Sequence, residues 1–187
     1  MSAPNHTRRG LAVETLRTVF GLAAVLAASA AALSALDAAP AWIVGESRAV
    51  RRARTVGEVE RRLRARLVLP AFFPSTLAWP PQHIRFTVRA PGAAALSIQG
   101  RDGTPRLLLA QTAGPGPIPG GLVPEAAVLD RSTIAVGARR GTLSRIVEGG
   151  VVCWELSWEQ DGRSLLLRSR GRVDELVRMA RSAREVP

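Results

Sequence analysis

Val151-Val152-Cys153-Trp154-Glu155-Leu156-Ser157-Trp158-Glu159, followed by Gln160-Asp161-Gly162-Arg163 and Ser164-Leu165-Leu166-Leu167-Arg168-Ser169, decides how this chain reads. Val152, Trp154, Leu156 and Trp158 alternate with Val151, Cys153, Glu155, Ser157 and Glu159. That period of two puts the apolar set on one face of a half-buried strand. Asp161-Gly162 is the residue pair that a tight hairpin favours, because both tolerate positive φ, so residues 164–169 are expected to return antiparallel. Beyond Gly171, Val173, Leu176, Val177, Ala180 and Ala183 recur at helical spacing. Asp174 and Glu175 open that segment and Arg178, Arg181 and Arg184 close it, the charge order that complements a helix dipole. The expected structural core is a wall of Val152, Trp154, Leu156, Trp158, Leu165 and Leu167 against which Val173, Leu176, Val177 and Ala180 pack.

Upstream, the same alternation recurs in shorter pieces. Ile84, Phe86 and Val88 alternate with Arg85, Thr87 and Arg89, and Pro91-Gly92 marks a turn. Residues 94–99 and 106–111 read as strands joined at Asp102-Gly103. Residues 133–138 and 142–147 follow, turned by Arg139-Arg140-Gly141 and then by Glu148-Gly149-Gly150 into the opening hairpin. Residues 112–121 are rich in Gly and Pro. Their prolines remove the N–H donors that a phosphate cradle uses, so they read as a surface connection. Residues 122–130 have no clear pattern. The expected fold class is α+β: a meandering antiparallel sheet with one face packed by the C-terminal amphipathic helix.

The N-terminal quarter has a different character. Residues 1–17 form a polar tail with Arg8, Arg9 and Arg17. No charge occurs from Thr18 to Leu36, and after Asp37 apolar character resumes to Gly45. An uncharged run near the ~20 residues needed to cross a bilayer predicts a transmembrane anchor over residues 18–45. Val19, Phe20, Leu22, Val25, Leu26, Leu33 and Leu36 would face lipid, and Trp42 would sit at the interface. A cleaved signal peptide ending near Ala28-Ser29-Ala30 is the competing reading. The arginines of the N-terminal flank place the rest of the chain outside the cytoplasm of a bacterial cell, although Arg48, Arg51, Arg52 and Arg54 pull the other way.

Residues 46–69 then read as an Arg-rich juxtamembrane linker and helix. Thr55-Val56-Gly57-Glu58 matches a capping box, and Val56, Val59, Leu63 and Leu67 make one apolar stripe that Pro70 ends. Glu58/Arg62 and Glu60/Arg64 are spaced for ion pairs along it. Arg48, Arg51, Arg52 and Arg54 are candidate contacts for anionic lipid. The Pro-punctuated entry, with Phe72, Phe73 and Trp79, is expected to plug one end of the core, and residues 70–187 form the domain.

Composition narrows the chemistry. The net charge is +11, with 26 basic residues among the 187, all of them Arg. The absence of Lys excludes a P-loop lysine, a Schiff base or a Ser-Lys dyad. The single Cys153 excludes an internal disulfide, and His6, His83 and Cys153 have no metal-site spacing, so no metal or cofactor is expected. No Gly-x-Ser-x-Gly elbow is present. Glu155 and Glu159 share a strand face, but exposed acids on a hairpin are ordinary.

Thr142-Leu143-Ser144-Arg145-Ile146, Gly149-Gly150, Trp154-Glu155-Leu156-Ser157-Trp158, Asp161-Gly162-Arg163 and Glu175-Leu176-Val177-Arg178-Met179-Ala180-Arg181-Ser182 together carry a resemblance. They resemble the closing section of a bacterial domain-of-unknown-function family found on membrane-anchored proteins, among them anti-sigma-factor-like and lipoprotein-sorting-like proteins. Leu69-Pro70 with Phe73-Pro74 is similar to that family's entry motif. The resemblance implies a single-pass membrane protein with an extracytoplasmic module, and it supplies no catalytic residues. The N-terminal tail has only His6 and no Cys, so the zinc-ligating sigma-capture domain of the anti-sigma relatives is not implied.

The leading expectation is therefore a membrane-anchored, non-catalytic accessory or sensory protein, with a partner in the envelope or a membrane complex. Two other classes stand beside it. One is a secreted enzyme using Glu155 and Glu159 with His83; the other is an Arg-driven binder of anionic membrane or nucleic acid through residues 48–66. Nucleic acid is disfavoured, because Trp154 and Trp158 alternate with acids rather than with Arg.

Overall fold

The alternation around Trp158 and the Asp161-Gly162 turn fold into a ten-residue strand and its antiparallel return, with φ of 53° at Asp161 and 72° at Gly162. This computed structural model describes residues 50–185, which lie within one compact unit, Ser47–Pro187. In chain order the elements are β1 (Arg51–Ala53), α1 (Val56–Leu63), β2 (Val68–Pro70), β3 (His83–Thr87), β4 (Ala93–Gln99) and β5 (Pro105–Thr112). There follow β6 (Ala127–Val136), β7 (Arg139–Glu148), β8 (Val151–Gln160), β9 (Arg163–Ser169), α2 (Val173–Arg181) and β10 (Ala183–Glu185).

Eight strands make one antiparallel sheet in the order β1-β3-β4-β5-β9-β8-β7-β6, and β10 pairs with β2 beside it. Two meanders, β3–β5 and β6–β9, are joined where β5 pairs with β9. The architecture is mostly antiparallel sheet with two helices, as the alternation implied.

Register aligns the core. Ile84, Leu96, Leu109, Leu167, Leu156 and Leu143 are successive cross-strand partners, forming one apolar row across six strands. Helix α2 lays Leu176, Met179 and Ala180 on that face, and α1 adds Val59, with Val56 and Leu63 at its margin. Each large side chain buried in this way contributes about 1.5–3 kcal/mol. Gly141 lies in this layer because a Cβ there would stand 2.9 Å from Val136 Cγ2 and 3.1 Å from the Ser157 carbonyl oxygen. Gln111, fully buried, exchanges two hydrogen bonds with the Val68 backbone at 2.8 and 2.9 Å, tying β2 to the sheet.

Several expectations are corrected. Val152 is 55% exposed rather than part of the core wall, because it lies near the β7–β8 turn, beyond the apolar cluster that α2 covers. Trp154, Val173 and Val177 are half-buried at its margin, whereas Leu156, Trp158, Leu165, Leu167, Leu176 and Ala180 are buried. Helix α1 stops at Leu63, not at Pro70, because Arg64 turns left-handed (φ 53°). That turn swings the chain back over Glu60, which accepts from the Leu67 N–H at 2.9 Å and pairs with Arg66 at 3.5 Å in place of Arg64. One half of the capping box forms, with Thr55 Oγ1 accepting from the Glu58 N–H at 3.2 Å, while the Glu58 carboxylate accepts from the Arg54 N–H, one residue before the cap. Residues 51–69 are thus built into the domain rather than standing apart as a linker.

The expected anchor, with Val19, Phe20, Leu22, Val25, Leu26, Leu33, Leu36 and Trp42, lies outside the described residues, as does Arg48. Among the described residues no helix is long and apolar enough to cross a membrane.

Candidate functional site

The sheet face opposite the helices holds the second layer of interest. Its middle is flat and small: Ala93, Ala95 and Ala110 are buried under Leu122, with Ile118 and Val123 packed beside them. Residues 113–126, which take in most of the surface connection expected over 112–121 and the start of the patternless 122–130, cross this face as a strap. Two arginines hold it by its backbone. Arg85 Nη2 donates to the Leu122 carbonyl at 2.7 Å, and Arg168 Nη1 donates to that of Pro124 at 2.9 Å. Ser164 Oγ adds a hydrogen bond to the Gly116 carbonyl at 2.8 Å.

Arg168 is the most deeply buried charge described, at 6% exposure. Its Nε and Nη2 both reach Glu155 Oε2, at 3.0 and 2.7 Å, and Glu148 lies 3.4 Å from Nη1. A buried guanidinium costs free energy unless it is both paired and hydrogen-bonded, and this one is both. Glu155 was expected on a wet face. It is instead half-buried and committed to Arg168, because the two-residue turn sets Glu155 directly opposite Arg168.

Beside the strap runs a cleft with two lobes that share His83, Arg85 and Ser97. The larger, about 890 Å³, is lined also by Arg52, Arg54, Glu58 and Gln82. The smaller, about 270 Å³, adds Arg106, Glu148, Arg168 and Arg170. Six guanidiniums therefore face two carboxylates. Arg106 is paired with Asp102 at 2.6 Å and Arg168 with Glu155, so both are occupied. Arg52, Arg54, Arg85 and Arg170 have no ion-pair partner among the described residues. Asp102 is held well below the usual carboxylate range by hydrogen bonds from the Arg106 side chain and then from Thr104.

A third cleft, about 580 Å³, lies between the Asp102 turn and α2. Arg106 and Arg172 are neutralised there by Asp102 and Asp174. Its lining also holds one arginine, Arg101, and one carboxylate, Glu175, that are unpaired among the described residues, so its charge balances, and the four unpaired arginines favour the two-lobed cleft as the candidate site.

Of the four arginines proposed from the sequence as lipid contacts, Arg52 and Arg54 line this cleft. Arg51 is the register partner of Phe86 on the helix-covered side, so it does not join them. Arg85, Arg106 and Arg170 were missed: the first two read locally as polar positions on ordinary strands, and Arg170 as a loop residue after one. The secreted-enzyme constellation does not assemble. His83, Ser97, Leu108, Arg168 and Glu155 are successive cross-strand partners, so His83 and Glu155 stand about 19 Å apart at four strand spacings. Among the described residues no three His, Cys or acidic side chains converge as a metal site would require. Cys153 is buried. No family model, curated protein sequence or solved structure matches this chain.

Proposed function

We propose that this chain is a single-pass membrane-anchored accessory or sensory protein, with its folded domain outside the cytoplasm. The domain holds a ligand in the arginine-lined cleft rather than transforming it. The observation that carries this reading is the cleft itself: arginines without acidic partners, displayed at the edge of the sheet beside a strap that part-buried hydrogen bonds hold down. Rigid elements carrying polar groups at the mouth of a cleft are what recognition requires. The uncharged run over residues 18–36 supports the anchor, and the resemblance of the C-terminal third to modules of membrane-anchored proteins supports the class.

Alkaline carbonate extraction of native membranes tests the anchor. The chain is expected to stay in the pellet and to be released only by detergent. Release by carbonate alone would sink the integral-membrane reading.

A further inference from the structure

We infer that the two-lobed cleft is a site for a ligand carrying at least two phosphate-class anionic groups. This rests on the reading of the domain as a ligand-holding module. Four arginines have room for a new partner: Arg52 and Arg54 in the larger lobe, Arg170 in the smaller, and Arg85 in both. Four free arginines, offset by Glu58 and Glu148, leave two net positive charges, which match a ligand with two anionic groups better than a single carboxylate. The planar fork of Arg binds phosphate oxygens through paired N–H donors.

The placement is two-ended. Strands β1 and β9 are four spacings apart in the sheet, about 19 Å at the backbone. Arg54 follows directly on β1, and Arg170 follows directly on β9. Arg54 lines one lobe and Arg170 the other, so a molecule with two anionic groups can engage both, with Arg85, His83 and Ser97 shared between the lobes. Arg85 is pre-positioned, since its Nη2 is already bonded to the Leu122 carbonyl and the rest of its fork is held at the junction of the lobes. Fixing that fork before the ligand arrives reduces the entropy lost on binding. Glu148 lies 3.4 Å from Arg168, but Glu155 already pairs that guanidinium, so Glu148 offsets one of the four free arginines. Glu58 accepts only a backbone hydrogen bond, from the Arg54 N–H, so its charge offsets a second.

The test uses the full chain in neutral detergent and inorganic pyrophosphate as the probe, followed by calorimetry. Pyrophosphate is expected to bind, and inorganic sulfate at equal concentration to bind at least tenfold more weakly. The double variant Arg54→Gln/Arg170→Gln should weaken pyrophosphate about 100-fold, roughly tenfold per charge-assisted fork removed. The double variant Arg62→Gln/Arg184→Gln removes the same charge from exposed positions outside the cleft and should change binding less than about threefold. All four positions are exposed, so unfolding transitions should be unaltered. Absence of pyrophosphate binding, or equal losses in the two doubles, would overturn the inference.

Micelles doped with cardiolipin, whose headgroup carries two phosphates, against phosphatidylcholine alone, distinguish the source. Competition with pyrophosphate assigns the site to a lipid headgroup, and its absence assigns it to a soluble phosphorylated molecule. A carbonate-released chain that still binds pyrophosphate keeps this inference and loses the anchor. A carbonate-resistant chain that does not bind keeps the anchor and loses this inference.

Discussion

Replacing Arg168 with Met tests whether the buried charge cluster holds the outer face of the sheet together. Met keeps much of the stem's volume and removes the guanidinium. Lost at once are two hydrogen bonds to Glu155, one to the Pro124 carbonyl and the attraction to Glu148. Breaking a fully buried pair from one side costs about 3–5 kcal/mol, because the remaining charge is stranded. Here the carboxylates keep about a fifth of their side-chain surface, 19% for Glu155 and 22% for Glu148, so water recovers part of that cost. The expected loss is about 3 kcal/mol, which lowers the midpoint of a domain this size by roughly 10 °C. Glu155→Leu alone should cost less, since Arg168 retains Pro124 and Glu148. The double variant Arg168→Met/Glu155→Leu should recover at least about 1 kcal/mol relative to the sum of the singles. Urea denaturation followed by Trp fluorescence reads the stability, because Trp154 and Trp158 lie on the strand that carries Glu155. Hydrogen exchange reads the strap: residues 113–126 should lose protection in Arg168→Met. A loss below about 1 kcal/mol with unchanged exchange in the strap would refute the reasoning, since the cluster would then be no more than a screened surface pair.

Two further outcomes follow from burial and from charge. Leu156→Ala, at a fully buried position, should cost about 2–5 kcal/mol in the same denaturation assay, whereas Val152→Ala should cost under about 0.5 kcal/mol; equal losses would mean that the core wall extends to Val152 after all. The Asp102 carboxyl titrates below its unfolded value, so its stabilising contribution is fully present above the ordinary aspartate range and lost only as pH falls through the depressed folded value. Carboxyl NMR should therefore show Asp102 still ionised at about pH 3, where a free aspartate is mostly protonated, and Arg106→Gln should return its midpoint toward the ordinary range.

Much of the local structure was written in short stretches. The alternation through Trp154, Leu156 and Trp158 predicted β8, and Asp161-Gly162 predicted the turn, because both depend on neighbours only one or two residues away. Thr55 and Glu58 marked the start of α1 for the same reason. The end of α1 was harder to read, since a left-handed Arg64 has no composition signal of the kind a glycine gives. One longer-range feature is legible: a two-residue turn at 161–162 pairs residue 155 with residue 168, so the Glu155–Arg168 bridge follows from counting.

The candidate site is of another kind. Arg54, Arg85 and Arg170 are separated by tens of residues, and each is an unremarkable polar position within its own segment. They come together because β1 pairs with β3 and β5 with β9, and those pairings were chosen by how the row from Ile84 to Leu143 buries itself under two helices. Local alternation sets which face a side chain takes, and it carries no record of which strand lies alongside. The sequence by itself determined β8, β9 and the β4–β5 hairpin with their Asp-Gly turns and the apolar faces of both helices, whereas the turn it placed at residues 139–141 falls at Gly137-Ala138, and β1, β2, β10 and the first half of β6 carried no local signal. Only the tertiary structure decided the strand order, the strap and the cleft, because these depend on minimising exposed apolar surface over the whole domain at once.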